Sequence, residues 1–449
     1  MYIHWVTYTP GDIEIERTQA LQEGRDLAAL LPRFEEAAAA DHQSPTWQAE
    51  ARALMDEVQR LPIVPGYAFD EPSDLESIRA RRGPGPALGA MTTDEAVLLD
   101  RLHGAWLGRC CGCLLGKPVE GWRRDRMHGY LRDLGRYPLD RYFTTAVPDE
   151  VRQRYELDPR SGGFVENATC MPEDDDTNYT VTGIAVVRHK AHGFTAQDVA
   201  DFWLGNIPLL HVCTAERVAY RNLVHLVPPP ASASLQNPYR EWIGAQIRAD
   251  AWAYVAPGNP ELAAEYAWRD AIVSHVKNGI YGEMWAAATI AAAFRTEDPL
   301  EAVRAGIAQV PERSRLAEAL ARVIAWRVDG ADYETALERI HAEWDEHRAH
   351  DWCHTISNAM IVVLGLLWGE GDFARSICLA VNACFDTDCN GATVGSVMGA
   401  LLGRARLPED WARPINDTLE TGVAGYHRVS LTEMARLTLE LGGRQRWGD

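Results

Sequence analysis

The sequence predicts an all-α protein, and three observations carry that expectation. Apolar residues recur at helical spacing in segment after segment, at residues 175–192, 196–205, 261–276, 281–295, 299–308, 314–326, 333–346, 355–368, 372–383 and 391–403. Sustained apolar–polar alternation, the mark of half-buried strands, is hard to find. Glycine falls every fourth residue in two places, at Gly104, Gly108, Gly112 and Gly116, and at Gly391, Gly395, Gly399 and Gly403. That spacing puts each set on one stripe of a helix.

In chain order, residues 1–82 read as a helical appendage. After a short start (Tyr2 to Thr9), Glu14–Ala40 and Pro45–Arg60 are helix-compatible, with Leu21, Leu27, Leu30 and Leu31 forming an irregular apolar face. The run from Arg79 to Pro86 is rich in Arg, Gly and Pro, and residues 83–91 read as a linker. A main domain over 92–445 opens at Thr92-Thr93-Asp94-Glu95, a capping box for the helix with the first glycine stripe. Within it, Val227-Pro228-Pro229-Pro230 and the stretch from Tyr254 to Pro260 mark loops.

A glycine inside a helix costs about 1 kcal/mol, so two four-glycine stripes call for a reason. Close backbone approach supplies one, with helices packed tightly around a site. The membrane version of the pattern does not fit, because Arg101 and Arg109 interrupt the first segment and Arg404 and Arg406 follow the second.

With 449 residues, 47% of them hydrophobic, the chain can bury a large core, yet no apolar run reaches the length of a membrane span. A formal net charge of −20 argues against a nucleic-acid partner, which needs a basic surface, and suits a cation site. The start, Met1 to Trp5, has no basic region followed by an apolar stretch, and nine cysteines in so long a chain fit a reduced, cytoplasmic protein. Cys110, Cys111 and Cys113 point different ways on a helix and read as small packing residues.

Two acidic clusters carry the chemistry. Glu173-Asp174-Asp175-Asp176-Thr177 precedes the apolar run from Tyr179 to Val187, and Asp386-Thr387-Asp388 precedes the second glycine stripe. Carboxylates this close repel one another unless a cation neutralises them. Mg²⁺, Mn²⁺ and Ca²⁺ select such all-oxygen ligands, and helix N-termini favour the charge. A lone acidic run is usually a cap or a solvated turn. The stretch from Asp386 to Gly391 also matches the first half of an EF-hand loop, but Val397 occupies the position where that loop needs Glu. Taken together, the clusters read as one metal site built from two distant pieces of chain.

Three blocks in order give the chain a resemblance to the ADP-ribosylglycohydrolases. Gly104-Ala105-Trp106-Leu107-Gly108 through Leu115-Gly116-Lys117-Pro118-Val119-Glu120-Gly121 resembles the family's opening helix and following glutamate. Asp174-Asp175-Asp176-Thr177 resembles its first metal motif. Phe385-Asp386-Thr387-Asp388-Cys389 with Leu407-Pro408-Glu409-Asp410-Trp411 resembles its closing block, and Val273-Ser274-His275 with Tyr281-Gly282 is a weaker fourth match.

The resemblance implies an all-helical domain with two ions, Mg²⁺ or Mn²⁺, against the terminal ribose of ADP-ribose. Asp174, Asp175, Asp176, Asp386 and Asp388 would be ligands. Glu120 would be an acid/base or gate, and Asp175 or Asp176 the general base. The expected substrate is an ADP-ribosylated protein. The alternatives are hydrolysis of a smaller riboside and a non-catalytic ADP-ribose- or metal-binding role.

This sequence departs from the family pattern at several positions. Asp174 and Cys389 stand where the family has Thr, Cys384-Phe385 where it has Gly-Gly, and Gly112-Cys113 where it has Gly-Asp. In place of a Gly-Asn-Gly segment stands Asn237–Asp250, whose Tyr239, Trp242, Gln246, Arg248 and Asp250 are candidates for a substrate pocket, together with His275 and Tyr281. The competing reading makes this stretch an ordinary helix and His275 a satisfied buried histidine.

Overall fold

The computed structural model describes residues 4–39, 41–158, 160–161 and 163–446. Met1 to Ile3, at the expected N-terminal start, and Ala40, at the end of the first helix-compatible stretch, lie outside them. The described residues form 23 α-helices and one two-stranded sheet, an all-α fold. The periodic segments fold nearly where the pattern puts them, for example at Asp175–Lys190, Asn278–Ala293, Thr355–Trp368 and Thr387–Leu402. No helix among the described residues is long and apolar enough to cross a membrane.

Local chemistry accounts for the differences. The stretch expected to be helical from Glu14 to Ala40 divides into Pro10–Gln22 and Leu31–Ala39. Gly24 turns left-handed after the first helix (φ +75°), with the Tyr67 ring where a side chain would stand. The first glycine helix, Glu95–Gly116, is capped by Asp94, whose carboxylate accepts from the N–H groups of Ala96 and Val97. This takes the place of the Thr92–Glu95 capping box. The small sheet pairs Thr418–Glu420 with Arg428–Ser430, antiparallel, with Leu419 opposite Val429. Its first strand also brackets Met171, accepting from Met171 N at 2.8 Å and donating from Glu420 N to Met171 O at 2.9 Å. That pairing fixes the chain just ahead of the first acidic cluster.

The two glycine helices run antiparallel in backbone contact. A Cβ on Gly108, Gly112 or Gly116 would collide with the backbone at Gly395, Gly391 or Thr387 respectively, and Gly391, Gly395 and Gly399 meet the first helix reciprocally. No other residue allows this approach, so the contact repays the propensity cost of the glycines with dense packing. Its register sets the end of one helix against the start of the other, where Thr387 Oγ1 donates to Gly116 O at 2.9 Å.

The N-terminal helices share a small core, including Ile13, Phe34, Trp47, Leu54 and Val58. They attach to the rest of the molecule through buried charge. Arg240 reaches Glu16 (2.5 Å) and Glu23 (2.7 Å), all three about 1% exposed, and Lys277 adds a 3.3 Å contact to Glu23. Arg315 bridges Glu71 and Glu241, at 2.9 and 2.7 Å. Burial alone would raise the Glu23 carboxyl, but Arg240 and Lys277 override it and hold Glu23 at about 2. The stability this contributes is present above the unfolded value of about 4.3 and is lost as pH falls toward 2.

Gly112→Ala is expected to lower stability by about 2 kcal/mol or more despite alanine's better helix propensity. Gly205→Ala, with open space at its Cβ, is expected to be neutral or slightly stabilising; paired thermal melts compare the two. Arg240→Ala leaves buried Glu16 without its cation and Glu23 with only the longer contacts of Lys277 and Arg25, and is expected to cost about 3–5 kcal/mol in urea unfolding at neutral pH. That cost should shrink below about pH 4, as the carboxylates protonate.

Candidate metal centre

The glycine-helix junction lies beside a second helix N-terminus. The acidic helix Asp175–Lys190 is capped by Asp174, whose Oδ1 accepts from Asp176 N at 3.0 Å. Across the junction, Asn358 Oδ1 accepts from Asp386 N (3.2 Å) and Asn390 Nδ2 (2.8 Å), fixing the entry to the second glycine helix. These supports bring two distant acidic clusters together. Cys113, Asp174, Asp176 and Asp388 each offer a ligand atom, all within 4.8 Å of one another. Asp386, Asp388 and Cys389 make a second such group, so Asp388 belongs to both.

Two cations brace the carboxylates from within the protein. Arg109, wholly buried, donates from Nη2 to Asp176 Oδ1 (3.0 Å), Asp176 O (2.7 Å) and Ile247 O (2.7 Å). Its Nη1 lies 2.7 Å from Asp250. Lys117 Nζ donates to Asp174 Oδ2 at 2.6 Å. Asp176 Oδ2 and Asp388 Oδ1 remain buried without a hydrogen-bond partner. Buried anionic oxygens left unpaired are costly. Convergent carboxylates with orphaned oxygens are a donor set that fits a divalent cation.

Burial, reinforced by the neighbouring carboxylates, pushes Asp175, Asp386 and Asp388 well above the usual range, and burial does the same to Asp176 against the pull of Arg109. Glu120 follows the short turn Lys117–Val119. Solvent reaches its side chain, yet protein crowds its carboxyl on the inner side. That crowding, then Asp174 and Asp175, push it up to about 7 against the pull of Lys117. Asp175 is half-buried and lies outside both ligand groups.

The chain enters the second cluster through two left-handed residues, Cys384 (φ +64°) and Phe385 (φ +58°). This is a glycine conformation, held here by non-glycine residues at a cost of about 1–3 kcal/mol each. Phe385 is buried with its ring against His341, centroids 4.9 Å apart. The surrounding packing therefore enforces the turn that glycines would otherwise permit.

The other expected site residues lie in the interior, each with protein contacts. Gln246 Oε1 accepts from Thr355 Oγ1 (3.0 Å), while its amide nitrogen has no partner. Arg248 is ringed by Asp270 (2.6 Å), Glu216 and Glu283 (3.5 Å). Asp250 holds Arg109 from behind. His275 Nδ1 pairs with Ser274 Oγ at 2.8 Å, and burial keeps its ring well below the usual histidine range. Tyr281 donates to Pro72 O, Tyr239 donates to Asp12, and Trp242 Nε1 donates to His350 Nδ1 at 3.2 Å. The Asn237–Asp250 stretch is thus a short-turned connector that receives the N-terminal helices at one end and braces the acidic helix at the other.

Sequence reasoning missed Arg109, Cys113 and Lys117 as neighbours of the carboxylates. Their signal was present: four-residue spacing beside the glycine stripe, with a charge inside an otherwise apolar helix.

A family model for ADP-ribosylglycohydrolases matches residues 94–446, and the chain belongs to that family, whose members are hydrolases. A solved structure described as an ADP-ribosylglycohydrolase-related protein complex is similar at 22% identity with a TM-score of 0.46, over 78% of this chain and 99% of that one. No curated protein matches.

Asp388→Asn removes one of the crowded charges. In chelator it is expected to melt at or above the wild-type temperature. Saturating Mn²⁺, expected to stabilise the wild type by about 2–3 kcal/mol at 100-fold excess over Kd, should stabilise the variant by less than half as much.

Proposed function

We propose that this chain is a divalent-cation-dependent hydrolase of a ribosyl N- or O-glycosidic bond, with an ADP-ribosylated protein as its substrate. The observation that carries the reading is the convergence of Asp174, Asp176, Asp386 and Asp388 beside Glu120 and Asp175, with two carboxylate oxygens buried and unpaired. The two ligand groups sharing Asp388 support a pair of divalent ions; the family resemblance implies Mg²⁺ or Mn²⁺. Bound there, such ions would supply Lewis acidity toward ribose hydroxyls and water.

The protein's own groups divide the proton work. Glu120, held near 7 at the solvent edge, is the acid that protonates the departing nitrogen or oxygen. Asp175, outside both ligand groups, is the base that takes a proton from water as its oxygen bonds to the anomeric carbon and the glycosidic bond breaks. Two carboxyl groups with different surroundings are thereby assigned opposite roles. Arg109 and Lys117 hold Asp176 and Asp174 in place and offset their repulsion.

Turnover of ADP-ribosyl-arginine, ADP-ribosyl-serine, ADP-ribose and simple nucleosides, with Mn²⁺ or Mg²⁺ and with chelator, tests the reading. Cation-dependent cleavage of an ADP-ribosylated amino acid is expected. Full turnover in chelator, or cleavage of nucleosides alone, contradicts it. Glu120→Gln is expected to lower kcat by about 10²- to 10⁴-fold while leaving ADP-ribose affinity nearly unchanged. In the wild type, kcat/KM should fall as rising pH takes the proton from Glu120, with bound cations drawing that limb below the value of about 7 that burial, Asp174 and Asp175 give the cation-free protein, and Glu120→Gln should lack that limb.

A further inference from the structure

Cys113 occupies an unusual position for a buried cysteine. It lies one turn before the end of the first glycine helix and is fully buried. Its sulfur converges with oxygens of Asp174, Asp176 and Asp388, all within 4.8 Å. Ligands about one ion at about 2.0–2.3 Å lie no more than roughly 4.6 Å apart, so these four atoms need only a small inward adjustment to share one centre. Asp176 Oδ2 and Asp388 Oδ1 are buried without partners in the same group. Cys110 and Cys111, on the same helix, do not join it; Cys111 Sγ instead donates to Trp411 O at 3.3 Å.

We propose that Cys113 is a metal ligand, and that with Asp174, Asp176 and Asp388 it makes one position of the centre a mixed thiolate–carboxylate site selecting a borderline-soft cation such as Zn²⁺ or Co²⁺ over Mg²⁺. This rests on the reading of the cluster as a cation site and goes beyond it by naming a sulfur donor and the cation class. Thiolate sulfur favours Zn²⁺ and its neighbours, whereas Mg²⁺ prefers oxygen throughout and dehydrates reluctantly. Binding is a proton exchange: the Cys113 thiol loses its proton to solvent as the sulfur–metal bond forms. The group formed by Asp386, Asp388 and Cys389 offers two carboxylates and a second thiol; the proposal assigns the sulfur bond to Cys113, where three carboxylates complete a four-donor set.

The test is a Co²⁺ titration of reduced, chelator-stripped full-length protein, following near-ultraviolet absorption and proton release. A thiolate-to-Co²⁺ charge-transfer band is expected, with about one more proton released per ion than in Cys113→Ser. Cys113→Ser should remove the band with an unchanged circular dichroism spectrum, whereas Cys389→Ser and the exposed Cys213→Ser should keep it. Cys113→Asp, which makes the set all-oxygen, should lose the band and bind Mg²⁺ at least about tenfold more tightly. A wild type without the band, or a band lost in Cys389→Ser or Cys213→Ser but kept in Cys113→Ser, overturns the assignment. Cleavage of an ADP-ribosylated amino acid with Mg²⁺ and no band would refute this inference alone. A Cys113-dependent band without turnover would refute the proposed activity and leave the metal assignment standing.

Discussion

Backbone contact between the two glycine helices is the constraint on which the rest depends. Helices normally stand 8–10 Å apart because side chains separate them. Here the carbonyls of Gly391 and Gly395 lie where side chains of Gly112 and Gly108 would be. The contact fixes rotation and register together, and it ends at Gly116 and Thr387. Cys113 and Asp388 are consequently neighbours although 275 residues separate them (388 − 113). A side chain at any contact glycine would push the helices apart and move the first acidic cluster relative to the second.

Holding that many carboxylates together sets the electrostatic design of the surroundings. Arg109 is a brace, not a surface charge: it ties Asp176 to Asp250 and to the Ile247 carbonyl, so the acidic helix, the connector and the glycine helix share one guanidinium. Lys117 does the same for Asp174 nearer the solvent. A second layer surrounds Arg248 with Asp270, Glu216 and Glu283. Buried ion pairs seldom add net stability over apolar packing, but breaking one partner is costly. Here they fix where the unpaired oxygens stand. The N-terminal helices use the same device through Arg240 and Arg315, at a separate place.

Much of this was legible in the sequence because it is local. Outer helices such as Arg315–Val328 bury one face, so their period shows; core helices such as Asn278–Ala293 and Thr355–Trp368 are buried all round and show as long apolar runs; the carboxylate runs are contiguous, so their charge shows. The glycine spacing announced close approach. It could not announce its partner, since register is a property of the pair. The role of Asn237–Asp250 was hidden for a similar reason. Polar and aromatic side chains look alike whether they face a ligand or another part of the chain. The intramolecular partners involved, Glu16 and Glu23 for Arg240 and Pro72 for Tyr281, lie more than 200 residues away. In the sequence Cys113 looks like a packing residue because a helix directs neighbouring cysteines apart. That geometry holds, and it directs this one at the carboxylates.

On the reading proposed above, the junction of the two glycine helices is a cation site serving ribosyl hydrolysis. Anomalous diffraction from crystals soaked in Mn²⁺ and ADP-ribose tests it most directly. Anomalous density is expected among Asp174, Asp176, Asp386 and Asp388, with the ribose beside Glu120. Ordered ADP-ribose elsewhere on the molecule, with no anomalous density at these carboxylates, would contradict it.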